Sequence, residues 1–360
     1  MESMAARVAL MAGGACFSSW WMKANVDRAM PGLHRLMMAL PVVLINHAIP
    51  FLFCVDLSDQ LFRVTLAFLT AWISNFKILA FCLNRGPLCN DYYGKPRDWT
   101  FWQYTALLML PMLPRRDYEE TNGILSRLEL QTLKRRLCQF VAKTALLLGI
   151  SYTICELDPP AFLKGYIYAL SLYGFLGFWM DLSAILGSVL LDMELTENFK
   201  HPYVAVSFAD FWSRWNKVTG ILLRCLSYDI IMEGRFVRGV YRKNDKKNCN
   251  EKRCQYRRAV AIVVLFILSG IMHEMVFWYS SGFWGWGWFA FFTYFGPALV
   301  LENAAISMGK HLLKISSVPR AVGIFYLFIA MSIPANQFFV PQSEQGGSKD
   351  LAKYVLALWK

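Results

Sequence analysis

The run AVAIVVLFILSGIMHEMVFWYS, residues 259–280, decides the class of this chain. A helix that crosses a bilayer needs about 20 predominantly apolar residues, and this run meets that length with only a histidine and a glutamate in its second half. The 26 residues before it, 233–258, hold ten Lys/Arg against Glu233, Asp245 and Glu251. A long apolar run bounded by a basic connection is the pattern of a membrane span with a cytoplasmic loop.

The pattern repeats outward in both directions. Eight spans are expected, at 5–22, 36–54, 61–84, 138–155, 162–190, 259–280, 285–302 and 321–340. The fifth is long enough to be tilted or broken. FWQYTALLMLPML at 101–113 is too short to cross and ends in prolines, so it reads as re-entrant or interfacial. The expected fold class is therefore all-α: a polytopic transmembrane protein of about eight spans with re-entrant and amphipathic cytoplasmic helices, forming one domain over 1–360. Arg7 before the first run, with no small-residue cleavage site, reads as a first span and not a removed signal.

Composition agrees. The 360 residues are 56% hydrophobic and 17% charged, against about 25% charged in a soluble domain. The net charge of +12 sits in loops between apolar runs, which excludes a nucleic-acid-binding face and favours topology setting or attraction to anionic substrates. Nine cysteines without a CxxC, including the isolated CNEKRC of 249–254, indicate neither a zinc site nor a disulfide framework. No Asn-x-Ser/Thr sequon occurs. A second basic stretch contains Arg115, Arg116, Arg127, Lys134, Arg135 and Arg136. Placing both basic stretches in the cytoplasm puts 23–35, 85–137, 191–258 and 303–320 on that side. The turn holding Asp56 and Asp59, and both termini, then fall on the lumenal side.

Ionisable residues inside spans are functional candidates by default. His273 lies about fifteen residues into its run, roughly 22 Å at the helical rise. Its helix face carries Phe266, Ser269, Gly270, Val276, Phe277 and Ser280. The small Ser269 and Gly270 leave room for a substrate chain or let another helix approach. Glu274 follows about 100° around the helix. With Phe277 where a second histidine would be needed, the pair is no metal motif. An interhelical hydrogen bond and a catalytic role both remain open for His273. Asn75 and Lys77 in the third span and Asp181 in the fifth are lesser candidates, with Lys77 able to snorkel toward the cytoplasm.

The second feature is NFKHPYVAVSFADFWSRWNKVTGILLRCLSYDII, residues 198–231. Ser207-x-x-Asp210 marks a helix start, and the helix is expected to run to about 231 with Gly234 as its stop. Asp210 and Arg214 are spaced to pair, and Trp212, Trp215 and Asn216 fall on one stripe. Interfacial anchoring and catalysis both fit such a helix.

Together, ELTENFKHPYVAVSFADFWSRWN at 194–216, LSGIMHEMVFWYSSG at 268–282 and AWISNFKILAFCLNRGPL at 71–88 resemble the membrane-bound O-acyltransferase superfamily, and within it the plant-type wax synthases and plant sterol acyltransferases. The likeness covers most of the chain. DFWSRWN is one residue shorter than the DFWGRRWN of the plant wax synthases. The resemblance implies a central tunnel with His273 and Asn216 facing each other at mid-depth as the catalytic pair. It implies substrate binding by Asp210, Trp212, Arg214, Trp215, Ser269, Gly270 and Phe277. His273 would take the proton of an alcohol attacking a thioester, and Asn216 would orient the acyl group or stabilise the oxyanion. Arg214 and the 233–258 loop would meet the phosphates of a fatty acyl-CoA, which is a substrate; no metal, cofactor or covalent acyl-enzyme is implied. The expected acceptor is a long-chain fatty alcohol arriving laterally from the lipid bilayer. A sterol is the alternative and diacylglycerol a third, with the endoplasmic reticulum as the expected location. The competing class is a transporter with an intramembrane histidine, which predicts internal symmetry and paired broken helices.

Overall fold

The computed structural model describes residues 4–54, 56–89, 92, 98–115, 127–157, 159–239, 251–312, 319–345 and 347–357. Parts of both basic stretches, 116–126 and 240–250, lie outside the described residues, as do the remainder of the chain's gaps. Among the described residues the chain is helical, with one isolated bridge between Pro114 and Leu195 and no strands.

Seven helices are long and apolar enough to cross a membrane: Leu33–Leu52, Asp59–Cys82, Gln131–Glu156, Leu163–Leu190, Cys254–Ser281, Gly287–Gly309 and Arg320–Gln345. These match seven of the eight expected spans. The eighth, α1 (Met4–Trp21), is a helix but does not reach the same hydropathy, because Arg7, two glycines, two serines and two tryptophans dilute it. It nevertheless runs antiparallel along α2 (Leu33–Ala48): Trp21 Nε1 donates to Met38 O, Gly14 sits against Ile45 and Ile49, and Arg7 lies over the Phe53 ring. The Arg7 guanidinium is buried and pairs with Asp59 at 2.7 Å, which gives the charge a partner where water is excluded.

α3 (Leu57–Leu66) continues through π-helical turns Ala67–Ser74 into α4 (Asn75–Cys82). This is the central span: 78% of its apolar window is buried, against 17–39% for the others. Lys77 does not snorkel. It is fully buried, and its ammonium donates to the carbonyls of Leu107 and Leu110. Those carbonyls are at the C-terminal end of α5 (Phe101–Met109), where a short helix leaves acceptors unpaired and a cation is favourable. The short 101–113 segment thus holds a helix buried along its second half, opened by a Thr100–Gln103 capping box and with Trp102 exposed.

α6 (Arg127–Glu156) and α7 (Ala161–Leu190) form a long antiparallel pair. α7 is unbroken. Asp181 meets Lys143 of α6 at 2.5 Å. α11 (Glu251–Ser281) pairs with α12 (Gly287–Leu312). α13 (Arg320–Pro334) passes through Ala335–Phe339 into α14 (Val340–Gln345), and α15 (Ser348–Ala357) packs across α6 and α3. No disulfide framework was expected, and among the described residues Cys254 alone is disulfide-bonded.

Candidate active site

The one helix expected between α7 and α11 is divided in two. α8 covers Phe208–Arg214, and α9 (Lys217–Leu223) continues through π-helical turns Arg224–Tyr228 into α10 (Asp229–Glu233), with Gly234 in the left-handed conformation as the foreseen stop. α8 starts where the sequence placed it. Ser207 accepts the N–H of Asp210 at 3.1 Å and Asp210 Oδ2 accepts that of Val206 at 3.2 Å. The carboxylate of Glu302, reaching from α12, accepts the N–H groups of Phe208 and Ala209. An anion at a helix N-terminus satisfies donors that the helix itself leaves free.

The helix breaks at Trp215, which is extended, and at Asn216, which is left-handed at φ 31°. Local propensity did not announce this break because its cause is tertiary. Lys200 N–H donates to Arg214 O, and Lys217 N–H donates to Asn198 O, so the 198–200 segment takes the backbone groups a continuous helix would have used. Asparagine tolerates the left-handed region better than other side chains. Asn216 then caps α9, its Oδ1 accepting Thr219 N–H at 3.2 Å. With Oδ1 committed to a backbone donor, the amide NH₂ is the end left for a ligand. Asn216-x-x-Thr219 was readable as a helix start, and that spacing is the signal the sequence offered.

On α11, His273 Nδ1 lies 2.8 Å from Ser269 O. A carbonyl only accepts, so Nδ1 carries the proton and Nε2 keeps its lone pair. The imidazole is held by rings the sequence reading missed. Phe292 of α12 stacks on it at 3.7 Å, Trp72 of the central span meets it edge-on at 4.6 Å, and Trp288 lies at 5.8 Å. The aromatic density of GFWGWGWFAFF, 282–292, was visible, but not which rings face His273. Glu274, fully buried, turns away from His273. Its carboxylate accepts the N–H groups of Gly285, Trp286 and Phe289 and so fastens the start of α12.

A cavity of about 660 Å³ brings His273 and Asn216 onto one surface, together with Trp212, Trp215, Ser269 and Phe277. Its wall is overwhelmingly apolar. Trp212 packs against Phe266, Phe292 and Phe295, which ties α8 to the same aromatic cluster as the imidazole. Three expected site residues lie off the cavity. Gly270 serves helix approach: a Cβ there would come 2.9 Å from Phe289 O. Asp210 and Arg214 pair with each other at 2.6 Å and brace α8, with Arg214 also reaching Lys200 O. They position the Trp212–Asn216 stretch and do not line the site.

Residues 195–294, from before α8 through His273 to the start of α12, match the model of the membrane bound O-acyl transferase family. This match covers the segment that carries the site, and with seven helices long and apolar enough to cross a membrane the chain is an integral membrane protein. It is similar to an acyl-CoA–sterol O-acyltransferase of Arabidopsis thaliana, 29% identical over 255 residues, covering 69% of this chain and 66% of that protein. It is equally similar to a long-chain-alcohol O-fatty-acyltransferase of Simmondsia chinensis, 29% identical over 259 residues, covering 69% and 65%. The chain thus matches just under two thirds of the length of these relatives. Both elements of the site described above, the α8–α9 break and His273, fall within the matched segment.

Proposed function

We propose that this protein is an acyl-CoA-dependent O-acyltransferase that esterifies a long-chain fatty alcohol to a wax ester, with a sterol as the second acceptor class. The observation that carries the reading is the Nδ1–H of His273 bonded to Ser269 O, which leaves a basic Nε2 on a cavity shared with Asn216. A neutral hydroxyl is a weak nucleophile and needs such a base.

The alcohol oxygen attacks the thioester carbonyl as its proton passes to His273 Nε2. The carbonyl oxygen becomes an oxyanion, for which the Asn216 NH₂ is a donor. The C–S bond then breaks, the ester carbonyl re-forms, and the imidazolium returns its proton to the departing CoA thiolate. Donor and acceptor give ester and free CoA, with no covalent acyl-enzyme and no cofactor. The anionic CoA stays at the face carrying α8 and α9, which the basic loops mark as cytoplasmic. The acceptor enters from the bilayer beside α7 and α13. Leu170, Ile324 and Phe328 support this route, since each borders the cavity and is also exposed on the outer surface. The endoplasmic reticulum is the membrane in which such substrates meet.

The test is acceptor competition in membranes from a host without its own neutral-lipid acyltransferases. Labelled palmitoyl-CoA is offered with hexadecanol, a sterol and diacylglycerol, using the wild type and His273→Ala. Label in wax ester that His273→Ala abolishes is the expected result. Label in steryl ester replaces the acceptor and keeps the mechanism. Absence of His273-dependent ester from every acceptor overturns the reading.

A further inference from the structure

The cavity continues past His273 to a second end, and the directions of the helices locate it. Ile154 near the end of α6, Gly165 and Tyr168 near the start of α7, Ser280 at the end of α11 and Ser343 on α14 all border it. Ser280 lies about four helical turns along α11 from Phe266, which packs on Trp212 of α8, and Gly165 about two turns along α7 from Tyr173, which packs on Trp215, while α8 meets α12 through Glu302 and lies next to Val206, the contact of Gly323 on α13. α15 lies across this far end. Ala352 on α15 is 7% exposed and borders the cavity, packed in one cluster with Ile154, Tyr168, Phe339 and Val340.

The floor is thin and has charge behind it. A separate pocket of about 210 Å³, bordered by Lys164, Glu344 and Lys349, shares Ile154 and Tyr168 with the main cavity. Lys164 and Glu344 are 3.2 Å apart. Methylenes pushed through this layer would leave an apolar surface for a charged one, so the side chains of the floor are a physical stop. A ladder of rings measures the depth: His273 to Trp288 5.8 Å, Trp288 to Phe339 4.8 Å, Phe339 to Tyr168 6.5 Å. The floor therefore lies within three ring spacings of the imidazole.

We propose that Ala352, the small residue that α15 contributes to this floor, sets the acyl-chain length that the protein accepts from its donor. The inference rests on the acyl-transfer reading above. CoA is held at the α8 face, its thioester must reach His273 and Asn216, and the acyl chain continuing in line from the thioester enters the far arm. Alanine at 352 leaves the arm its depth. A larger side chain on the same helix face projects into it and removes room for terminal methylenes, each of which is discriminated by about 10-fold or more in a closed apolar pocket.

The experiment uses the full chain purified in lipid nanodiscs, with one acceptor alcohol fixed. Transfer from decanoyl-, palmitoyl- and eicosanoyl-CoA is compared for the wild type and Ala352→Phe. The expected result is a fall of about 10-fold or more in the palmitoyl-to-decanoyl ratio of kcat/KM, with the eicosanoyl ratio falling further. Ile154→Phe, which enlarges the floor from α6, is expected to move the ratios the same way, and it decides the matter with Ala352→Leu if Ala352→Phe does not give a monodisperse protein. A wild type that transfers acyl groups while all these variants keep its donor profile overturns the chain-length role alone. A shift in preferred alcohol length at an unchanged donor profile overturns the assignment of the far arm to the acyl chain. A wild type inactive with every donor overturns the acyl-transfer reading and this inference with it.

Discussion

His273 Nδ1 is bonded to the carbonyl oxygen of Ser269, one helical turn earlier at 2.8 Å, so the histidine is oriented by its own helix. The partner is a backbone group that no side-chain substitution removes. Ring contacts with Phe292 and Trp72 fix the remaining freedom of the imidazole. Orientation and tautomer are therefore set before any substrate arrives, which is what a general base requires.

His273→Gln keeps a polar side chain of similar reach but has no basic nitrogen. Its kcat is expected to fall by about 10²–10⁴-fold, with the dissociation constant of a non-hydrolysable acyl-CoA analogue little changed. Single-turnover rates and equilibrium binding measured on the same preparation separate the two quantities.

Asn216 carries a backbone task and a chemical one, and two substitutions divide them. Glycine accepts the left-handed conformation that Asn216 adopts, so Asn216→Gly is expected to remain folded and to lose about 10²–10³-fold in kcat if the amide stabilises the oxyanion. Asn216→Ala adds strain of about 1–2 kcal/mol to the loss of the same amide. It should unfold at lower temperature than the glycine variant in detergent. Equal activity of Asn216→Gly and wild type would remove the amide from the mechanism.

Glu274 holds three backbone N–H groups at the start of α12, the helix that delivers Trp288 and Phe292 to the imidazole. Glu274→Gln turns an amide NH₂ toward one of those donors. A buried donor left unpaired costs about 1–3 kcal/mol, so the variant should show a lower unfolding temperature and a lower kcat together. Glu274→Leu leaves all three donors unpaired and is expected not to accumulate in the membrane. Accumulation of Glu274→Leu at wild-type levels in a quantitative blot would show that the carboxylate does not hold the loop.

Much of the fold follows from local patterns. Hydropathy placed seven spans because the bilayer sets a length that a contiguous stretch of sequence must supply. Ser207-x-x-Asp210 and Gly234 marked a helix start and a stop because caps act within one turn. His273 stood out because a polar residue in an apolar run is conspicuous wherever the run goes. The spacing of Asp210 and Arg214 correctly gave their ion pair, but pairing is what keeps Arg214 from the cavity.

The membrane class, the ladder of spans and the residue types available for chemistry follow from neighbours along the chain. The remaining features come from contacts made at long range. The break at Asn216 arises from the 198–200 segment competing for backbone hydrogen bonds. The burial of Lys77 arises from carbonyls freed thirty residues away at the end of α5. Gly270 was spent on helix approach, while Ser269, one position earlier, faces the cavity. These outcomes turn on which distant group arrives opposite a residue, and water is excluded there, so every polar group must find such a partner. Periodicity along the chain carries no record of that partner.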